Sequence, residues 1–444
     1  MDGDIRVRSA VPHFASKPFR TPFKFGAAVV KEATFAKVAV EVENRRGQVA
    51  TGWGAILLSD LWAFPSLALS HEVRDRAMRH VTERYCHTVA SCASYAHPVE
   101  IFLELQNTLR GLVGTVPSEQ AEELMPLLAG LVAASPVDAA LHDAFGKVNG
   151  ISSYDGYGPE HMHDLGGILG PAFRGRFLSE YLRSRYQERV PCFHVVGGLD
   201  PLTDAEAPAA TDGAPRSLAE WIDQDGVFCF KVKLRGTDLG FDVERMVAVA
   251  RTVYERHERR GGRSVYFSVD SNEQCASPAY MLEFLSRLEE QSPRAYADLL
   301  FLEQPTERDL NRHAFDMRAL AARKPVIIDE SLTSLEDFDR ALELGWSGIA
   351  LKTCKTQSLS LLLVARAVQA GVAYTVQDLT NPGMALVQSV GFAARTSPLG
   401  GVEANARQYL PLAGAEELPE HLSLVHPHDG WLCTASIRSQ GLGY

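Results

Sequence analysis

The spacing of apolar and polar positions along the chain changes its rhythm twice. Between about residues 24 and 58, stretches such as AKVAVEVEN and GWGAILL alternate apolar with polar side chains around a Gly-containing turn. That period of two predicts antiparallel strands joined by a hairpin. From about 71 to 150 the period lengthens to that of amphipathic helix, in HEVRDRAMRHVTERYCHTVASCASYA, VEIFLELQNTLRGLV and EQAEELMPLLAGLVAASPVDAALHDAFGKVNG. Sheet first and helices after predict an α+β domain. From Val190 onward, short apolar runs alternate regularly with amphipathic stretches, and predict strands over 190–196, 228–233, 265–270, 299–303, 325–329, 348–352, 372–377 and 400–404. Eight strand-plus-helix units predict an α/β fold, a closed (β/α)8 barrel whose working face is the rim where the strand C-termini open. One segment breaks the plan: DPLTDAEAPAATDGAPRS, at 200–217, lengthens the first loop beyond the usual few residues, as a lid or as a tolerated surface insertion.

Three of the predicted strands end in a carboxylate: Asp270 in YFSVDSNE, Glu303 in LLFLEQP and Asp329 in PVIIDES. Each could simply cap the helix that follows, since acids favour helix N-termini. Three on successive strand ends, however, are brought to one rim, where they repel one another unless a hard divalent cation neutralises them. Mg²⁺, or Mn²⁺ in its place, suits a few carboxylates plus waters and substrate oxygens. Lysines flank the acids. Lys231 and Lys233 in FCFKVKLRG are two apart and point to the same side of a strand, and Lys352 in GIALKTCK ends the strand after Asp329. The ring order is lysine pair, Asp, Glu, Asp, lysine.

With this constellation the chain resembles the enolase superfamily, and within it the muconate-lactonizing and dipeptide-epimerase type of member of the mandelate racemase/muconate lactonizing enzyme family. The matching residues are the K-x-K of Lys231 and Lys233, the D-x-N of Asp270 and Asn272, the E-Q-P of Glu303 to Pro305, the D-E-S of Asp329 to Ser331, and Lys352. SPVDAALHDAFGKVNG resembles the helix that ends that family's N-terminal part, and VPCFHVVGGLDP its first barrel strand. The resemblance implies a capping domain over 1–188, a catalytic barrel over 189–411 and a C-terminal segment, 412–444, that returns to the cap.

The implied activity is Mg²⁺-dependent removal of the proton next to a substrate carboxylate, through an enediolate. A cation on the oxygens where charge develops stabilises that species, and lysine bases beside Mg²⁺ are the known arrangement of enolase-type sites. A lysine next to another ammonium and a dication is expected to have a lowered pKa, which makes it available as a base. By resemblance Lys233 is the base on one face and Lys352 on the other, with Lys231 beside them. Two working bases give racemisation or epimerisation. One base with a spectator cation gives cycloisomerisation, or a lyase reaction such as dehydration or an o-succinylbenzoate synthase-like syn elimination. A non-catalytic barrel that binds a ligand is the remaining alternative. Substrate contacts are expected from Asn272, from Gln377 and Asp378 after strand seven, from Glu403 and Asn405 on strand eight, and from the first domain through Phe23 with Lys24 in RTPFKFG and Trp53 in TGWGA. Glu403 and Asn405 stand where dipeptide epimerases carry a D-x-D pair for the substrate ammonium, and no His ends strand seven as in the mandelate-racemase type.

Composition narrows the partners. With 444 residues and 46% apolar content the chain can bury a large core. Its net charge of −11, with scattered basic residues, argues against a nucleic-acid surface, and the resemblance implies a small carboxylate as the partner. The seven cysteines are odd in number and form no C-x-x-C, the pattern of free thiols in a reducing compartment. No secretory signal is read in the first 25 residues and no apolar run reaches the ~18 residues of a membrane span. A cytoplasmic protein is expected, and by resemblance a homo-oligomer. His161-Met-His163 with Asp164 reads as surface, and Gly166, Gly167 and Gly170 lack the context of a dinucleotide loop.

Overall fold

The computed structural model describes residues 1–25, 28–118, 122–207 and 213–444, with side chains described except at 21–30 and 411. Strands β1 (Ile5–Phe25), β2 (Ala28–Asn44) and β3 (Val49–Leu57) form an antiparallel sheet in that order. Val38, Val40 and Val42 of β2 are fully buried, with the residues between them less so, as a one-sided strand requires. Sequence reading gave no strand before residue 24. Pro12, Pro18 and interspersed charges obscure β1, and they are tolerated because that stretch of β1 pairs with β2 on one side and sits at the sheet edge.

The buried face of the sheet packs on the helix Leu127–Asn149. Contact is so close that a Cβ at Gly52 would fall 2.3 Å from the Ala140 carbonyl, and one at Gly54 2.1 Å from that of Pro136. Glycine at both positions is therefore a packing requirement. The helices His71–Ala90 and Pro98–Leu112 complete this layer, and a small ribbon of β4 (Thr115–Pro117) and β5 (Glu122–Leu124) follows. Because β3 pairs only as far as Leu57 with Phe35, β1 and β2 run on past it as a two-stranded arm. Phe19 and Ala33 of this arm share a cleft with residues of the barrel.

The barrel strands are β6 (Arg189–Val196), β7 (Cys229–Lys233), β8 (Tyr266–Asp270), β9 (Leu299–Glu303), β10 (Val326–Ile328), β11 (Gly348–Lys352), β12 (Ala373–Gln377) and β13 (Val402–Glu403). They are parallel neighbours in sequence order, and pairing of Val402 with Cys192 closes the ring. The expected strand windows match within a residue or two, except that β13 is only two residues long. Gly400 and Gly401 precede it with positive φ, and a Cβ at Gly401 would meet the Pro191 carbonyl at 2.3 Å.

A last strand, β14 (Trp431–Cys433), lies antiparallel to the start of β6. The chain then reaches the cap: Leu442 N–H donates to Asp143 Oδ1 at 3.0 Å, and the Tyr444 hydroxyl to the Trp53 carbonyl at 2.6 Å. Of the long first loop, 208–212 lie outside the described residues. Its ends are tied down, Asp200 accepting from Gly197 N–H and Arg245 donating to the Gly197 and Asp200 carbonyls. All seven cysteines are free thiols, and among the described residues no helix is long and apolar enough to cross a membrane.

Candidate active site

Register brings the chemistry together. Lys233 of β7 pairs with Asp270 of β8, which pairs with Glu303 of β9, so their side chains share one layer at the C-terminal rim. Asp329 follows the end of β10, and Lys352 ends β11. The Lys231 ammonium lies 3.0 Å from Asp270 Oδ2, 2.6 Å from Glu303 Oε1 and 2.9 Å from Glu403 Oε1. Lys233 donates to Asp270 Oδ2 at 2.6 Å and to Asn272 Oδ1 at 2.9 Å. On the far flank Lys352 meets Asp329 Oδ2 at 2.7 Å, and Lys355 meets Asp329 Oδ1 at 3.1 Å.

The motif residues between these groups hold the strand ends in place. Gln304 accepts from Asp329 N–H at 2.7 Å and donates to the Thr306 carbonyl and Ser331 Oγ, locking the turn after β9 to the one after β10. Non-glycine residues with positive φ gather on this rim: Asn272 and Glu273 after β8, Gln304 after β9, Thr356 after β11, Leu379 and Thr380 after β12. Such backbone is costly and persists where surrounding contacts enforce it, commonly at functional sites.

Charge at the rim is unbalanced. The carboxyls of Asp270, Glu303, Asp329, Glu330, Asp378 and Glu403 outnumber the ammonium groups of Lys231, Lys233, Lys352 and Lys355 by two, and all but Lys233 are buried. Burial and the neighbouring acids push Glu303 up to about 8 and Glu330 to about 7. Burial, only partly offset by hydrogen bonds from Thr380 and Asn405, pushes Asp378 up to about 7. Burial would also raise Asp270, but Lys231 and Lys233 outweigh it and hold it down at about 2. The expected depression of the lysine pair is reversed at Lys231. Burial alone would lower its ammonium, but Asp270, Glu303, Glu403 and Asp329 stand close enough to hold it well above the usual value. Lys352 is likewise raised, Asp329 outweighing burial.

Among the described residues no three acidic, thiol or imidazole groups are gathered as a ready-made metal cage, because lysine ammonium groups stand between the acids. The donor set nonetheless fits a divalent cation in kind and charge. Asp270, Glu303 and Asp329 are hard oxygen donors on adjacent strand ends, the excess of two acids matches a dication, and Glu330 Oε2 is buried there without a hydrogen-bond partner.

Above the acids lies an open cleft, lined on the barrel side by Lys231, Lys233, Asn272, Lys352, Asp378, Glu403 and Asn405. The cap closes it with Phe19 and Ala33 of the arm, Leu57 at the end of β3, and Leu61 and Trp62 just beyond. The Trp62 ring lies 4.5 Å from the Lys352 ammonium, its Nε1–H donates to Glu330 Oε1 at 3.0 Å, and its carbonyl accepts from Arg308.

Two expected contacts fall elsewhere. Trp53 does not line the cleft. Gly52 and Gly54 face the helix, so strand alternation turns Trp53 to the other side, where Lys37 sits 4.7 Å from its ring. Gln377 is buried and donates to Glu303 Oε2 at 2.8 Å, orienting an acid from outside the cleft lining. The side chain of Phe23, with that of Lys24, lies outside the described residues. Sequence reading passed over Trp62, Leu61, Glu330 and Lys355. The last two were visible within D-E-S and KTCK, whereas Trp62 carries no motif.

Residues 214–430 match the family model described as enolase C-terminal domain-like. No curated protein matches the chain by sequence. Among solved structures, a dipeptide epimerase from Enterococcus faecalis, complexed with Mg and the dipeptide L-Leu-L-Tyr, shares 15% identity over 99% of this chain and 99% of its own, at a TM-score of 0.64. An enolase from Bradyrhizobium, complexed with magnesium and mandelic acid, shares 18% over 100% and 96%, at 0.62. A muconate lactonizing enzyme from Pseudomonas fluorescens, complexed with muconolactone, shares 18% over 99% and 96%, at 0.61. Most of the barrel is thus matched by an enolase C-terminal domain-like family model, and the chain shares its fold along its whole length with these proteins.

Proposed function

We propose that the protein removes the α-proton of a small carboxylate substrate with the help of Mg²⁺ or Mn²⁺, as a racemase, epimerase or cycloisomerase, in a barrel over 189–411 capped by 1–188 and 412–444. The observation that carries this reading is the pair Lys233 and Lys352. They come from β7 and β11, with the three acid-bearing strand ends between them, and line one cleft from opposite flanks. That placement supports a base on each face of a substrate lying over the acids.

Asp270, Glu303 and Asp329 would hold the cation, which when bound supplies positive charge against the developing enediolate oxygens. Lys233 takes the proton at Nζ, with Asn272 and Asp270 fixing the direction of the amine. Lys352 returns it from the opposite face, and Lys231 adds fixed positive charge beside the acids. Phe19, Leu61 and Trp62 keep water from the exposed carbanion.

A second reading has its own observation. Trp62 covers Lys352 and Asp329 holds its ammonium charged, which favours a spectator cation and hence cycloisomerisation or a lyase reaction with Lys233 as sole base. The test is solvent deuterium exchange at the α-carbon over a library of carboxylates with Mg²⁺, in wild type, Lys233→Ala and Lys352→Ala. Two-base isomerisation predicts that each variant loses exchange from one enantiomer. One-base chemistry predicts that exchange depends on Lys233 while Lys352→Ala still exchanges the same face. Exchange indifferent to both substitutions would refute both readings.

A further inference from the structure

The cleft has two unlike walls. Its barrel side carries the lysines and acids, whereas its cap side is apolar: Phe19, Leu57, Leu61 and Trp62, joined at one end by Leu379. The charged groups bordering that wall are already engaged, and the neutral polar ones are few: Ser59, Thr380 and Asn405. Asp378 accepts from Thr380 N–H at 2.9 Å and from Asn405 N–H at 3.0 Å, and Asn405 Oδ1 accepts from Val195 N–H at 3.1 Å. Glu403 is paired with Lys231, and Asp60 with Arg74 and His71.

The apolar wall is also rigidly specified. Leu379 is a branched residue at φ 58, and Asn381, two residues on, ties the two halves of the wall together. Its Oδ1 accepts from Leu57 N–H at 2.8 Å, and its amide donates to the Asp378 carbonyl. A leucine is rarely kept in left-handed backbone unless its placement matters.

We propose that this cleft selects a carboxylate bearing an uncharged apolar group, either a branched alkyl chain or a single aryl ring, and discriminates against polyhydroxylated acids and acids with a free ammonium. The proposal rests on the reading above for the position of the reacting carboxylate at the lysines and acids. An apolar group extending from that carboxylate meets Leu61, Leu379 and Phe19 and leaves water. The hydroxyls of a sugar acid would instead be buried against carbon, each losing its hydrogen bonds. An ammonium would have to take Glu403 from Lys231 or Asp378 from two backbone N–H groups, leaving a buried group unpaired.

Binding and chemistry test this separately. Calorimetric titration of the Mg²⁺-loaded protein with 2-phenylpropanoate, 2-methylbutanoate, gluconate and alanyl-leucine gives the affinities, and α-deuterium exchange on the same four probes gives the reaction. The first two are expected to bind at least tenfold more tightly than the others, on the order of the discrimination a hydrophobic pocket achieves. Leu379→Asn, which suits the positive φ, keeps the fold and is expected to weaken the two apolar probes about tenfold while leaving gluconate unchanged. Leu61→Ala is a second, independent cut in the same wall, with the same expected direction. Tighter binding of gluconate or alanyl-leucine, or affinities indifferent to both substitutions, would overturn the proposal and leave proton abstraction intact. Selective binding of the apolar acids without exchange on any probe would instead count against the proton-abstraction reading.

Discussion

Two buried polar clusters in this molecule are built on opposite plans. One joins the cap to the barrel: Ser358 donates from Oγ to Asp138 Oδ1 at 2.7 Å and from N–H to Oδ2 at 2.9 Å, and lies 2.8 Å from His142 Nε2, while Tyr157 OH lies 2.8 Å from His142 Nδ1. With His142 protonated on Nε2, every donor in the chain from Tyr157 to Asp138 finds an acceptor. The other cluster is the barrel rim, with two more acids than amines, positive φ at non-glycine residues and a buried carboxylate oxygen without a partner. Composition alone would favour the first as a site, since it holds Ser, His and Asp together. The difference lies in closure: a polar network that satisfies itself and has no opening holds elements together, whereas one left out of balance beneath a cleft is arranged for something that arrives.

The largest expected effect separates the clusters by activity. Lys233→Ala should reduce α-proton exchange from the enantiomer that faces it by roughly 10²–10⁴-fold, the usual loss for a general base, with the melting temperature little changed. Exchange and calorimetric scans on one preparation check both halves.

Acidification should act beside the closed cluster, on a histidine whose Nε2 is buried without a hydrogen-bond partner. His97, which packs edge-on to Phe145 beside His142, is pushed by burial down to about 3, whereas the unfolded chain titrates near 6.5. Below 6.5 the unfolded state therefore binds more protons, so this contribution is complete above pH 6.5 and is lost as pH falls toward 3, at about 1.4 kcal/mol per unit. Urea titrations across that range measure it, and His97→Gln should flatten the slope.

Asp138→Ala should cost roughly 3 kcal/mol by leaving Ser358 and its N–H unpaired in the interior. Chemistry at the rim should survive wherever the variant stays folded. The smallest effect sharpens the contrast from the other side. Glu330→Gln keeps the acceptor for Trp62 and Asn272, removes one excess acid, and should stabilise the cation-free protein by about 1 kcal/mol. A loss of stability there would mean that the rim is not overcharged.

Most of the fold was legible because barrel strands are short, apolar and regularly spaced, and the acids and lysines sit at their ends, where register fixes their neighbours. What was illegible had other causes. The alternation of β1 is broken by prolines that an edge strand tolerates. The GWG segment resembles a loop until the close helix contact explains its glycines and turns Trp53 away. Trp62 reaches the cleft through the turn after β3, a tertiary placement that no local period records. The balance between Lys231 and four surrounding acids could not be read from spacing, since strand-end positions give adjacency but not the side-chain geometry that decides a pKa.

The most direct measurement compares wild type, Lys233→Ala and Asp138→Ala in one solvent deuterium exchange assay, with and without Mg²⁺. The account predicts exchange that requires Mg²⁺, is lost from at least one enantiomer in Lys233→Ala and persists unchanged in folded Asp138→Ala. Exchange that survives Lys233→Ala undiminished on both enantiomers, or that is lost in Asp138→Ala while the protein remains folded, would contradict it.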